Sequence, residues 1–144
     1  VIAVDTNLLV YAHRTEIIWH DKAKNCLKPL AEGKQPWAIA WPCLHEFIGV
    51  VTNKRLHAQP TPLSLAFEQI AFWSSSPPFQ FIGEGKDHFA MLQQLCTNAS
   101  VTGGAIHDAR IAAICLEHSV DELWTADRDF SRFPSLKTRN PLVE

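Results

Sequence analysis

Four acidic residues stand where acids are costly to bury or where ligands gather, and carboxylates so placed suit metal-assisted hydrolysis. Asp5 follows the apolar run Val1 to Val4, and Asp127 follows a second strand-like run from Val120 to Thr125. In an open α/β sheet, ligands bind beyond the carboxyl ends of the strands, which is where both acids fall. Asp108 lies in the first turn of a helix whose other residues include Ala105, Ile106, Ala109, Ile111, Ala112, Ala113 and Ile114. The helix dipole returns about 0.3–1 kcal/mol to an acid there, too little to cover burial unless a cation or donors also meet it. Glu46 is embedded among apolar neighbours in His45 to Val51. Each acid alone has an ordinary alternative: Asp5 as a helix cap, Asp127 as a turn former, Asp108 as the partner of Arg110, and Glu46 as a solvated side chain.

Together the four are harder to explain separately. Crowded carboxylates repel and raise one another's pKa, so such a cluster stays ionised only when cations neutralise it. Oxygen-only ligands select a hard ion, magnesium or alternatively manganese. One or two such ions lower the pKa of a bound water and polarise a phosphate, which is phosphodiester hydrolysis without a protein nucleophile.

The elements that must position these acids follow from hydropathy patterning. Val1 to Val4 reads as a strand buried on both faces, and Leu8 to Ala12 begins a helix. A second helix is expected from about Asp21 to Glu32, with Pro29 inside it and Gly33 as its stop. Trp37 to Trp41 reads as a strand, and Cys43 to Asn53 as a helix opened by Pro42, with Leu44, Phe47, Ile48 and Val51 as its apolar stripe. Leu63 to Trp73 is the next helix, packing through Leu65, Ile70 and Trp73. Phe79 to Ile82 alternates like a strand, Lys86 to Cys96 returns to helix, and Gly103-Gly104 precedes the Ala105 to His118 helix. Val120 to Thr125 is a further strand, and the tail from Leu136 to Val143 supplies a last short one. Strands alternating with helices imply a three-layer α/β/α sandwich with a mostly parallel central sheet.

With 144 residues, 47% of them hydrophobic, the chain suits one domain spanning 1–144. The formal net charge of -2 excludes a global positive field for holding a polyanion, so positive potential at a nucleic acid would have to come from bound metal. Cys26, Cys43, Cys96 and Cys115 are scattered, form no C-x-x-C pair and read as buried thiols. No basic stretch precedes an apolar run at the start, and no run approaches a membrane span, so a cytoplasmic setting is expected.

Val1 to Ala12 resembles the opening of PIN-domain nucleases, where a strand delivers the first catalytic aspartate. His45-Glu46-Phe47 resembles the segment carrying that family's glutamate, His107 to Ala113 the helix carrying its third acid, and Leu123 to Phe130 its final T-x-D segment. Length and motif order most resemble VapC-type toxins of bacterial toxin–antitoxin pairs. The resemblance implies a PIN-like fold and a magnesium-dependent endoribonuclease, neutralised by a cognate VapB-type antitoxin. It makes Asp5 and Asp108 the leading metal ligands, with Glu46 and Asp127 completing the pocket and Asn7 and Thr125 orienting carboxylates or waters. Asp129 is the rival of Asp127 for the fourth position, although the T-x-D spacing favours Asp127. A local basic rim would draw on Arg14, Lys22, Lys54, Arg55, Arg128 and Arg132.

Two other readings stay open on the residues. One is phosphoryl transfer through an aspartyl intermediate on Asp5, although such sites commonly place a second Asp where this chain has Asn7. The other is a non-catalytic PIN-like module that only binds a partner. Trp19, Trp37, Phe72 and Trp73 are available to a homodimer or an antitoxin helix, with core packing the stronger expectation for most of them.

Overall fold

The computed structural model describes residues 1–144 as one five-stranded sheet with helices on both faces. The strands are β1 (Ile2–Val4), β2 (Trp37–Ala40), β3 (Phe79–Ile82), β4 (Glu122–Trp124) and β5 (Thr138–Arg139), and the helices are α1 (Thr6–His13), α2 (His20–Glu32), α3 (Trp41–Val51), α4 (Leu63–Ser74), α5 (His88–Ala99) and α6 (Ala105–Glu117). The strand order is β3-β2-β1-β4-β5 and every pairing is parallel. The three-layer α/β architecture expected from the alternating elements is therefore the one observed.

Topology places the site. From β1 the chain steps outward to β2 and β3, then returns across the sheet to β4 on the other side of β1. Right-handed crossovers consequently lay α1 to α4 on one face and α5 and α6 on the other. The direction of winding reverses between β1 and β4, and the carboxyl ends of those two strands flank the crevice that such a reversal opens. Val4 pairs with Trp124 in register, so Asp5 and Thr125 emerge side by side.

The central strands are short and almost wholly apolar because both faces are covered: Ala3, Val4 and all four residues of β2 are buried. Trp37, Phe47, Leu8, Leu9, Phe130 and Phe133 anchor the core. Pro29 is exposed in the last turn of α2, and Gly33 ends that helix where a Cβ would collide with the Pro29 carbonyl oxygen.

Several elements differ from expectation. Helix α3 begins at Trp41, two residues early, because Ala40 already has extended cap geometry and Pro42 fits the first turn. Leu65 is exposed rather than packed, since the buried stripe of α4 runs through Ala66 and Trp73. Residues Arg128–Arg132 form a 3₁₀ turn that periodicity does not reveal, and the tail contributes only a two-residue strand before a second 3₁₀ turn at Pro141–Val143. Of the cysteines, all free, Cys43 and Cys115 are buried, whereas Cys26 and Cys96 are only half-buried. Trp37 and Trp73 are core residues, Trp19 is half-buried, and Phe72 is exposed. No helix is long and apolar enough to cross a membrane.

Candidate active site

Asp5, Glu46, Asp108 and Asp127 line one crevice of about 280 Å³ at the carboxyl ends of β1 and β4, together with Thr6, Asn7, Tyr11 and His107. A larger cavity of about 520 Å³ lies at the far end of α1 around Arg14 and His57, away from these acids. Asp5 is delivered by β1, Glu46 by α3, Asp108 by the first turn of α6, and Asp127 by the segment after β4.

Asp5 is the most constrained of the four. Its side chain is 5% exposed, and both carboxylate oxygens accept hydrogen bonds. Thr6 N–H (2.8 Å) and the Cys43 thiol (3.5 Å) donate to Oδ1, and the Thr125 hydroxyl (2.7 Å) donates to Oδ2. Burial raises the Asp5 pKa, the donors from Thr125, Thr6 and Cys43 oppose that, and the nearby charge of Glu46 adds to it. Asp5 is thus also the N-cap of α1, so the capping explanation and a place in the crevice describe the same residue.

Thr125 organises the β4 side. Its hydroxyl donates to Asp5 while accepting from Asn7 Nδ2 (3.4 Å) and from Asp127 N–H (3.0 Å), which exhausts its capacity. Asn7 Oδ1 in turn accepts from Ala126 N–H (3.2 Å). Asp127 Oδ1 accepts from Asp129 N–H (2.8 Å), and this short turn swings the Asp129 carboxylate toward Asp108. Ligand atoms of Asp108, Asp127 and Asp129 all lie within 4.8 Å of one another. Asp127 and Asp129 therefore both stand beside Asp108 rather than excluding each other.

The Asp108 carboxyl is pushed up to about 6, first by burial and then by Asp127, Asp5 and Asp129, with Arg132 pulling the other way. Arg110 is not its partner: the guanidinium reaches Glu84 instead, at 2.7 and 3.1 Å. On a helix, residues two apart point to different sides, which separates Arg110 from Asp108. Glu46 is exposed on α3 and completes the open side of the crevice.

Of the basic candidates, Arg132 stands beside the acids, 3.8 Å from Asp129, and Arg128 is exposed in the same turn. Arg14 is committed to Glu16 and the Gln59 carbonyl, and Lys22 lies over the Trp19 ring. Lys54 and Arg55 are exposed beyond the end of α3. Residue type alone singles out neither the Cys43 thiol nor the placement of Asp129, because both depend on contacts between separate elements.

The oxygens of Asp108, Asp127 and Asp129 have a spacing that fits a hard divalent cation, across which opposed ligand oxygens are about 4.2 Å apart for magnesium, and Asp5 and Glu46 line the same crevice outside that tight group. Fold and crevice together define an α/β protein whose acids gather at a topological switch point. The chain belongs to the PIN-domain family, whose model matches residues 2–136. Full-length relatives include the VapC ribonuclease Mb2897 of Mycobacterium bovis, 35% identical over 98% of this chain and 95% of the relative. Ribonuclease VapC25 of Mycobacterium tuberculosis is 29% identical over 97% and 98%. Among solved structures, VapBC2 from Rickettsia felis bound to a promoter DNA fragment shares the fold with a TM-score of 0.70 at 22% identity, covering 96% of this chain and 97% of that one.

Proposed function

We propose that this chain, acting as one nuclease unit, is a magnesium-dependent endoribonuclease, the toxin of a toxin–antitoxin pair. The carrying observation is the convergence of Asp5, Glu46, Asp108 and Asp127 on one crevice, with Asp129 against Asp108 and no fixed cation among them except the flanking Arg132. The relatives named as VapC ribonucleases supply the substrate class.

Asp5, Asp108 and Asp127 would hold the ion, with Glu46 reaching in from α3, and manganese would substitute. When bound, magnesium supplies Lewis-acid polarisation of the phosphate and acidifies a water. The chain's own residues do the positioning. Thr125 and Asn7 hold Asp5 and the Asp127 segment at fixed angles, so the ligands are preorganised rather than gathered by the substrate. Glu46, exposed at the rim, completes the acidic lining from the α3 side. Arg128 and Arg132, exposed in the turn beside the acids, would contact phosphates of the RNA.

An aspartyl-phosphate route is less suited to this geometry, because Asn7 stands two residues after Asp5, where such sites commonly place a second acid, and is tied to Thr125 and Ala126. The partner-binding face we assign is a groove of about 470 Å³ lined by Ala12, Leu27, Ala31, Phe72 and Trp73 together with two cations, Lys24 and Lys28, and one acid, Glu32. An amphipathic, acidic segment of a VapB-type antitoxin suits such a groove, as related structures are of toxin–antitoxin complexes. Homodimerisation and a cytoplasmic setting complete the proposal. The test is cleavage of cellular RNA with and without magnesium: cleavage by the wild type that a chelator abolishes supports the reading, and cleavage indifferent to metal contradicts it.

A further inference from the structure

The contact between Cys43 and Asp5 joins two elements that must agree for the crevice to form. Cys43 is buried in the first turn of α3, one turn before Glu46, and its thiol lies 3.5 Å from Asp5 Oδ1. The bond is returned by the neighbouring residue, since the Thr6 hydroxyl donates to the Cys43 carbonyl at 3.3 Å. The α3 helix is thereby latched twice onto the junction of β1 and α1, with one latch running through the carboxylate itself. A buried cysteine usually packs as a small hydrophobe with a weak donor, and the thiol of Cys115, equally buried, makes no hydrogen bond. Cys43 differs because its donor meets an acid that is 5% exposed and has few donors to share.

We propose that Cys43 is a positioning residue for the metal site: its thiol fixes the rotation of the Asp5 carboxylate and sets the separation of Asp5 from Glu46. This rests on the metal-dependent reading above. Thr6 and Cys43 both donate to Oδ1, while Thr125 holds Oδ2, so the plane of the carboxylate is defined from three directions. Removing the thiol leaves Oδ1 with the Thr6 N–H alone and loosens the carboxylate on the side that faces α3. Groups of this kind, one bond removed from a metal ligand, typically alter metal affinity 10- to 100-fold when removed, and a weak S–H donor belongs at the low end.

The test compares wild type with Cys43→Ala, Cys43→Ser and the control Cys115→Ala. Manganese binding is measured by calorimetry in the absence of RNA, and kcat and KM are measured for RNA cleavage. The expected result for Cys43→Ala is manganese binding weakened by about tenfold, kcat reduced to match and KM for RNA unchanged. Cys43→Ser, which restores a donor, should recover most of the loss. Cys115→Ala, which empties a similar volume without touching the Asp5 bonds, should bind manganese as the wild type does. If Cys43→Ala fails to fold, Cys43→Val, which fills the volume without a donor, takes its place, and the inference then requires the same roughly tenfold loss of manganese binding relative to Cys43→Ser. Wild-type affinity and kcat in a folded Cys43→Ala overturn the inference alone. No manganese binding by the wild type overturns the metal reading and this inference with it.

Discussion

Replacing Asp108 with Asn should make the metal-free protein more stable, not less. The Asp108 carboxyl, ordinarily at 3.8, is raised to about 6 by burial and by Asp127, Asp5 and Asp129. That rise corresponds to about 3 kcal/mol of penalty on the folded, ionised form at full weight. The side chain is only partly buried, and solvent screening halves the figure to about 1.5 kcal/mol. Asn also forgoes the attraction of the α6 N-terminus, about 0.5 kcal/mol, so the net gain is about 1 kcal/mol, or about 3 °C in Tm for a chain of this size. The sign with pH follows from the direction of the shift. Above about pH 6 the folded wild type carries the ionised carboxylate against its neighbours, and the Asn variant holds its full advantage. As pH falls from about 6 to below 3.8 the carboxyl protonates in the folded and then the unfolded state, and the advantage disappears. Magnesium reverses the order, because an ion at 100 times its Kd adds about 2.7 kcal/mol to the wild type and much less to the variant. Urea denaturation in chelator and in magnesium, at pH 4 and pH 7.5, measures all four quantities. A variant less stable than wild type in chelator at pH 7.5, or an advantage that persists unchanged at pH 4, would refute the repulsion on which the site's electrostatics rest.

Other outcomes follow from the same geometry. Thr125→Val removes the 2.7 Å donor from buried Asp5 and the acceptor for Asp127 N–H, so it should cost about 1–3 kcal/mol in denaturant melts and at least tenfold in kcat. Arg110→Ala breaks only the half-exposed pair with Glu84 and should change stability by less than about 1 kcal/mol while leaving RNA cleavage intact, whereas a partner of Asp108 would be missed far more. Phe47→Ala, at a fully buried core position, should cost about 3–5 kcal/mol, read as a lowered urea midpoint.

Much of this arrangement was legible in the residues because burial writes itself as pattern. The runs at Ile2–Val4 and Trp37–Ala40 are continuous and apolar since both faces of the sheet are covered, and the α6 helix shows its buried character in Ala109 and Ile111 to Ile114. Asp5 and Asp127 could be placed at strand ends for the same reason. What patterning missed involves contacts between distant segments. Arg110 looks like a partner for Asp108 until the loop carrying Glu84, 26 residues earlier, captures it. Asp129 looks like a rival of Asp127 until the 3₁₀ turn brings both beside Asp108. Leu65 looks like core, but α4 buries a narrower stripe, and Cys43 reads as filler until its thiol meets Asp5.

The central claim, that these carboxylates hold a metal that cuts RNA, is tested most directly by Asp5→Asn, which keeps the shape of the side chain while removing its charge and one of its two accepting oxygens. Cleavage ends mapped on cellular RNA should show magnesium-dependent cuts with the wild type and none with the folded variant. Cuts of equal position and rate from both proteins would contradict the account.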